Sequence, residues 1–175
     1  MRLVYTPTEH VGPVTSATIL SSQPEMVYVG HEEGYISLWD LDTDDGYPQC
    51  IEVVKVSMSD ILCLEGVNER SWVGGRSGMI LVYDISQRPW LMTNCWNAHP
   101  GLSVMRLIMN HYAIEKTGQL CVASVGRDAH VRLWDGLLGF DEIGSYLFSV
   151  TCLTKLFLWV SDRVTQDGSL FQFVP

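Results

Sequence analysis

Three side chains of the kind used in nucleophilic catalysis fall in one part of the chain: His99, Ser124 and Asp128. Together they could form a hydrolytic triad, with Ser124 attacking, His99 taking its proton and Asp128 holding the imidazole. That chemistry asks for an exposed serine on a strained turn, of the GxSxG kind, beside an oxyanion hole. Ser124 lies instead inside the apolar run "CVASVG", which reads as a strand. The segment that carries Asp128, "GRDAHVRLWD", ends in Trp134-Asp135, and a buried Trp needs an acceptor for its indole N–H. The expectation is therefore a structural hydrogen-bonded set.

The other candidate sites have simpler readings. His31 beside Glu32 and Glu33 has the composition of a metal site, but carboxylates in a turn are commonly just solvated. In "DLDTDDG", Asp40, Asp42 and Asp44 alternate as in a calcium loop, yet Asp45 stands where that loop needs Gly and Ile51 where it needs Glu. "GVNERSWVGGRSG" lacks the Lys and the strand–loop–helix setting of a phosphate cradle. No cofactor site is expected, and the chain is read as non-enzymatic.

Bulk composition narrows the partners. With 175 residues, 47% of them hydrophobic, the chain can bury a core, and a net charge of -9 without a basic run disfavours nucleic acid. The five cysteines, at 50, 63, 95, 121 and 152, show no metal spacing and read as small buried hydrophobes of a reducing compartment. The most apolar stretch, Tyr146 to Val160, is short for a bilayer and contains Lys155, so no membrane insertion is expected. The N-terminus shows no secretory pattern, and the expected location is cytoplasmic.

The elements that must position these residues repeat along the chain. Aligned on their last aromatic, "VGHEEGYISLWDL", "VGGRSGMILVYDI", "VGRDAHVRLWD" and "VSDRVTQDGSLFQFV" place anchors at Trp39, Tyr83, Trp134 and Phe173, at intervals of 44, 51 and 39 residues. Each unit holds two alternating runs across a short polar turn, the pattern of an antiparallel hairpin. Further apolar runs lie upstream ("PVTSATIL", "DILCLEG", "LSVMRLIM", "YLFSVTCL") and downstream ("CIEVVKV", "PWLMTNCW", and more weakly "FDEIGSY"). About four strands per unit and no helical period predict an all-β chain of repeated four-stranded antiparallel sheets, with units at about 10–56, 57–96, 97–142 and 143–175.

The period, Gly30-His31, and the pairs Trp39-Asp40 and Trp134-Asp135, with Tyr83-Asp84 as a variant, resemble the WD-repeat β-propellers. The resemblance implies a propeller domain of about four blades. The last blade stops at Pro175 after its third strand, so the propeller is expected to be incomplete, with missing blades of the same parent chain as one partner. It also implies a network per blade of a His before the blade, a Ser on its second strand, an Asp in the turn and the Trp. His99, Ser124, Asp128 and Trp134 match throughout; His10, Glu33 and Trp39 match in unit one, where Val29 takes the Ser position; unit two, with Val73, Ser77 and Tyr83, matches almost nowhere.

The function the resemblance implies is a non-catalytic scaffold for other proteins or peptides, within a larger trafficking or signalling regulator such as a guanine-nucleotide exchange factor. The other reading, an enzymatic propeller with a channel-mouth site, requires convergent acids or metal ligands that the sequence does not display. The residue seven before each anchor falls in the hairpin turn, so Glu32, Arg76, Arg127 and Gln166 form the candidate protein-binding face.

Overall fold

A computed structural model describes residues 11–44, 46–110, 115, 118, 120–137 and 142–147. Twelve strands follow in chain order: β1 (Val14–Leu20), β2 (Gln23–His31), β3 (Tyr35–Asp40), β4 (Gln49–Lys55), β5 (Ile61–Val67), β6 (Arg70–Gly75), β7 (Met79–Asp84), β8 (Leu91–Asn97), β9 (Val104–Met109), β10 (Cys121–Gly126), β11 (His130–Asp135) and β12 (Glu142–Leu147). They form three antiparallel four-stranded sheets in strict sequence order, β1 to β4, β5 to β8 and β9 to β12. The fold is all-β and propeller-like. β5 lies beside both β1 and β9, so first strands neighbour one another at the inner side, and among the described residues the blades do not close into a ring.

The strand pattern follows from alternation, with a two-sided burial that alternation alone does not predict. In blade one, Tyr28, Ile36 and Leu38 point at blade two, where they meet Ile61, Leu64 and Val73. In blade two, Trp72, Ile80 and Val82 point at blade three and pack on Leu107, Met109, Val122 and Trp134. Trp96 bridges this second seam, its ring centroid 5.4 Å from both Trp72 and Trp134. Blade two thus buries one face against blade one and the other against blade three. The same irregularity recurs in each blade just before the anchor aromatic: Trp39 pairs with Cys50, Tyr83 with Met92 and Trp134 with Glu142, one residue out of register.

Two connectors set one blade against the next. The N–H groups of Val56 and Ser57 both donate to the Gly34 carbonyl, and those of Ala98 and His99 both donate to the Gly78 carbonyl. Gly34 and Gly78 sit at the same place in their hairpin turns with φ of 83° in each, and an added Cβ would collide with the carbonyl oxygen of Ser57 or His99.

Two expectations need correction. β12 pairs with β11 through Leu147, so "FDEIGSY" supplies the fourth strand of blade three and the unit boundary drawn at residue 142 lies inside that strand. Residues 148–175, the rest of the expected fourth unit, lie outside the described residues. Cys63 and Cys121 are buried, and burial pushes their thiols up to about 12 and about 11, whereas Cys95 is exposed on the outer strand rather than a core residue. No helix among the described residues is long and apolar enough to cross a membrane.

The clamp on Gly78 yields a test. Gly78→Ala is expected to lose about 1–2 kcal/mol from left-handed backbone strain and about 1–3 kcal/mol more from collision with His99. Gly46 has φ of 71° but open space around it, so Gly46→Ala should lose the first contribution alone. Urea titration of the two variants measures the difference, and equal losses would refute the clamp.

Candidate functional site

In blade three the connector, the second strand, the turn and the third strand converge on one buried set. His99 leaves the connector with its ring fully buried, and Gly126 at the end of β10 leaves the space that ring fills. His99 Nδ1–H donates to Asp128 Oδ1 at 2.9 Å, Ser124 O–H donates to His99 Nε2 at 2.8 Å, and Trp134 Nε1–H donates to Ser124 Oγ at 2.8 Å. This direction is forced: the indole can only donate, so the serine passes its own proton on to Nε2, and Nδ1 must carry the proton that reaches the carboxylate. Arg132 Nη1, 2.7 Å from Asp128 Oδ2, and the His130 N–H, 3.1 Å from Oδ1, complete the carboxylate's partners. Arg132 also touches His99 Nδ1, but as both are donors only the shared carboxylate holds them together.

The charges follow from these contacts. Burial lowers the His99 pKa and outweighs the pull of Asp128, so the pair is a neutral imidazole on a carboxylate rather than an ion pair. For Asp128, burial pushes the carboxyl up, but the Arg132, His130 and His99 hydrogen bonds prevail and hold it at about 2. Ser124 Oγ is fully buried within β10 and takes the indole N–H, so it faces neither solvent nor any substrate.

Blade one solves the same problem with other residues. Trp39 Nε1–H donates to Ser37 Oγ at 2.8 Å, Ser37 O–H to His31 Nε2 at 2.7 Å, and His31 Nδ1–H to the Gly12 carbonyl at 2.8 Å. The network expected to be incomplete therefore has a full chain of donors and acceptors. Glu33 is not part of it: its side chain is exposed, and its backbone N–H donates to Asp60 Oδ1 at 2.9 Å. His10 lies outside the described residues.

The substitution is geometric. Val29 and Ser124 both stand ten residues before their anchors, and their cross-strand partners are Ser37 and Arg132. The hydroxyl has crossed from β2 to the neighbouring β3 position on the same face. His31 stands where blade three has Gly126, so the imidazole comes from the strand end instead of from the connector. Ser37 and His31 were missed because matching to the repeat compares equal offsets, whereas the face is shared by positions two and ten before the anchor. Cross-strand alternation was the signal that could have found them. In blade two, Tyr83 O–H reaches the Val56 carbonyl at 2.6 Å instead, across the seam.

The hairpin turns form an exposed rim on one common frame. The N–H groups of Glu32, Arg76 and Arg127 donate to the carbonyls of Pro13, Asp60 and Ser103, each the residue before its blade's first strand. On that frame Glu32 is half-buried, while Arg76 and Arg127 are exposed. Arg76 Nε–H lies 2.5 Å from Asp60 Oδ2, and Arg127 makes no ion pair among the described residues. Gln166 lies outside them. The Asp60 carboxyl, lowered by the Glu33 N–H and then by Arg76, ties the turns of blades one and two together.

Comparisons with known proteins are sparse in sequence and broad in structure. No family model matches the chain. It is 27% identical over 149 residues, 82% of its length, to a protein described as a probable inositol polyphosphate 5-phosphatase of Schizosaccharomyces pombe. It spans only 12% of that relative. Among solved structures, a chain of the mitotic checkpoint complex matches 76% of this chain and 36% of its own at a TM-score of 0.60 and 19% identity. The computationally designed Ika8 protein matches 78% of this chain and 37% of its own (TM-score 0.59, 17% identity), and the designed Ika4 protein 83% and 79% (TM-score 0.61, 16% identity). These likenesses establish the fold alone.

Two stability measurements follow. Ser37→Ala strands the Trp39 N–H and should cost about 1–3 kcal/mol, whereas Glu33→Gln should change stability by less than about 0.5 kcal/mol; urea melts that rank them the other way would reinstate Glu33. The blade-three pair should make folding acid-sensitive in two windows. His99, lowered in the fold, stabilises fully above its ordinary value near 6.5 and less as pH falls below it. Asp128, at about 2 against an ordinary value near 3.9, contributes at most about 2.6 kcal/mol above pH about 4 and loses it as pH falls towards about 2. Asp128→Asn should remove the lower window, as read by melts between neutral pH and about pH 2.

Proposed function

We propose that the chain is a non-catalytic protein-interaction module of WD-repeat type, presenting its turn rim to protein or peptide partners in the cytoplasm. The observation that carries this reading is the rim itself: identical backbone hydrogen bonds hold a half-buried Glu32 in blade one and exposed arginines, Arg76 and Arg127, in blades two and three. A rigid frame with variable outward groups is what a recognition surface needs. The His, Ser and Asp that could have done chemistry are consumed inside the blade, which argues against hydrolysis at Ser124.

The relative suggests the setting. Similarity confined to 12% of a protein described as an inositol polyphosphate 5-phosphatase supports the reading that this module accompanies such an enzyme within a longer polypeptide, and offers nothing for an exchange-factor parent. On this reading the phosphatase chemistry resides elsewhere in that polypeptide, and the module positions it through its partners.

The test is cross-linked capture of partners by the purified chain. Arg76→Ala and Arg127→Ala should each weaken capture at least threefold with an unchanged melting curve, while Asp42→Ala, in the β3–β4 loop at the opposite end, should have no effect. Capture that responds to Asp42→Ala and ignores both arginines would overturn the assignment of the face.

A further inference from the structure

The connectors carry two apolar side chains that the fold leaves wholly or partly uncovered. Met58 is 93% exposed and Leu102 is 42% exposed. Both sit on chain that is tied down. Around Met58, Ser59 N–H donates to Ser57 Oγ at 3.1 Å and Ser77 N–H to Ser59 Oγ at 3.3 Å; around Leu102, its own N–H donates to the His99 carbonyl at 3.1 Å and Ser103 O–H to the Arg76 carbonyl at 3.2 Å. An ordered backbone here holds a methionine almost wholly in water beside a partly covered leucine, and methionine is well suited to adaptable apolar contact.

These side chains and the rim arginines belong to one hydrogen-bonded row. Arg76 touches both connectors: its Nε–H holds Asp60, two residues beyond Met58, and its carbonyl holds Ser103, the neighbour of Leu102. The Arg127 N–H donates to the Ser103 carbonyl and extends the row by one turn. Asp60 fixes the Arg76 guanidinium by its Nε edge, leaving both Nη groups without a partner among the described residues. Asp128 cannot neutralise Arg127, because its oxygens are taken by His99, His130 and Arg132. In a chain of net charge -9 this row places free cationic donors between apolar side chains.

We propose that this row docks a short peptide segment in which large apolar residues alternate with acidic ones, the apolar side chains covering Met58 and Leu102 and the carboxylates meeting Arg76 and Arg127. The proposal rests on the scaffold reading above and deepens it by naming the partner's chemistry. Guanidinium–carboxylate pairs give orientation, and the flanking apolar contacts exclude water from them. Glu32 and Glu33 at the blade-one end repel further acid, so the acidic residues of the segment lie over blades two and three.

Fluorescence anisotropy with three labelled, glycine-flanked peptides tests it on the full chain: a Leu-Glu-Phe-Glu core, a Leu-Lys-Phe-Lys core and a Ser-Glu-Ser-Glu core. The first should bind at least tenfold more tightly than either other. Met58→Ser with Leu102→Ser, and separately Arg127→Glu, should each weaken it at least fivefold, and Arg76→Glu with Arg127→Glu should transfer preference to the lysine peptide. Equal binding of the three, absence of binding by all, or indifference to the apolar substitutions would overturn the proposal. Preference of the unmodified chain for the lysine peptide, lost in the rim variants, would overturn the partner chemistry while leaving the scaffold reading in place. Indifference of partner capture to both rim arginines would remove both.

Discussion

A carbonyl that accepts two N–H groups from the next segment of chain sets the geometry on which the rest depends. At Gly34 and Gly78 that carbonyl is presented from a left-handed turn, and it fixes the connector leading into the following blade. The connector then determines where the next first strand begins, which face of the sheet meets its predecessor, and where His99, Met58 and Leu102 project. A side chain at either glycine would occupy the space of the connector's own carbonyl, so the turn and the blade-to-blade step are one device. Blade three has Ala129 at the same offset with φ of 62°, which accepts the backbone strain without the glycine.

Stacking sheets on both faces creates a second requirement. An aromatic anchor near the sheet's outer edge becomes half or fully buried, and its polar atom must be satisfied within the blade. Blades one and three meet this with the same order of donors, indole to serine to imidazole to an oxygen acceptor, although serine and histidine arise from different strands or loops. Blade two avoids it by using a tyrosine whose hydroxyl reaches a carbonyl across the seam. Blades one and three therefore preserve the path of hydrogen bonds more than residue identity at fixed offsets, and all three blades preserve the bulge beside the anchor.

This distinction explains how much could be read from the sequence. The hairpins, the anchors and the four strands per blade were legible because alternation and turn residues are local. The blade-three set was legible because all four of its members stand at the positions the resemblance implies. Ser37 and His31 were not, since membership of a face depends on which residues lie opposite one another across two strands, and Val29 at the expected serine position concealed a hydroxyl one strand away. The role of Asp60 was equally invisible: it joins Glu33 to Arg76 across two blades, a contact that exists only once the connector is in place.

The same separation of frame from side chain bears on function. The polar groups of the blade-three set are directed inward to satisfy one another: the buried His99 ring stays neutral, and Asp128 on Nδ1 and the Ser124 hydroxyl on Nε2 fix its tautomer. At the rim the backbone groups are already paired through the N–H bonds of Glu32, Arg76 and Arg127, which frees their side chains from any structural duty except the hold of Asp60 on Arg76. Backbone hydrogen bonds support the frame of the hairpin turns, and serine and aspartate side chains pin the connectors beside them, which leaves the outward side chains of both as the surface on which the proposed recognition would rest.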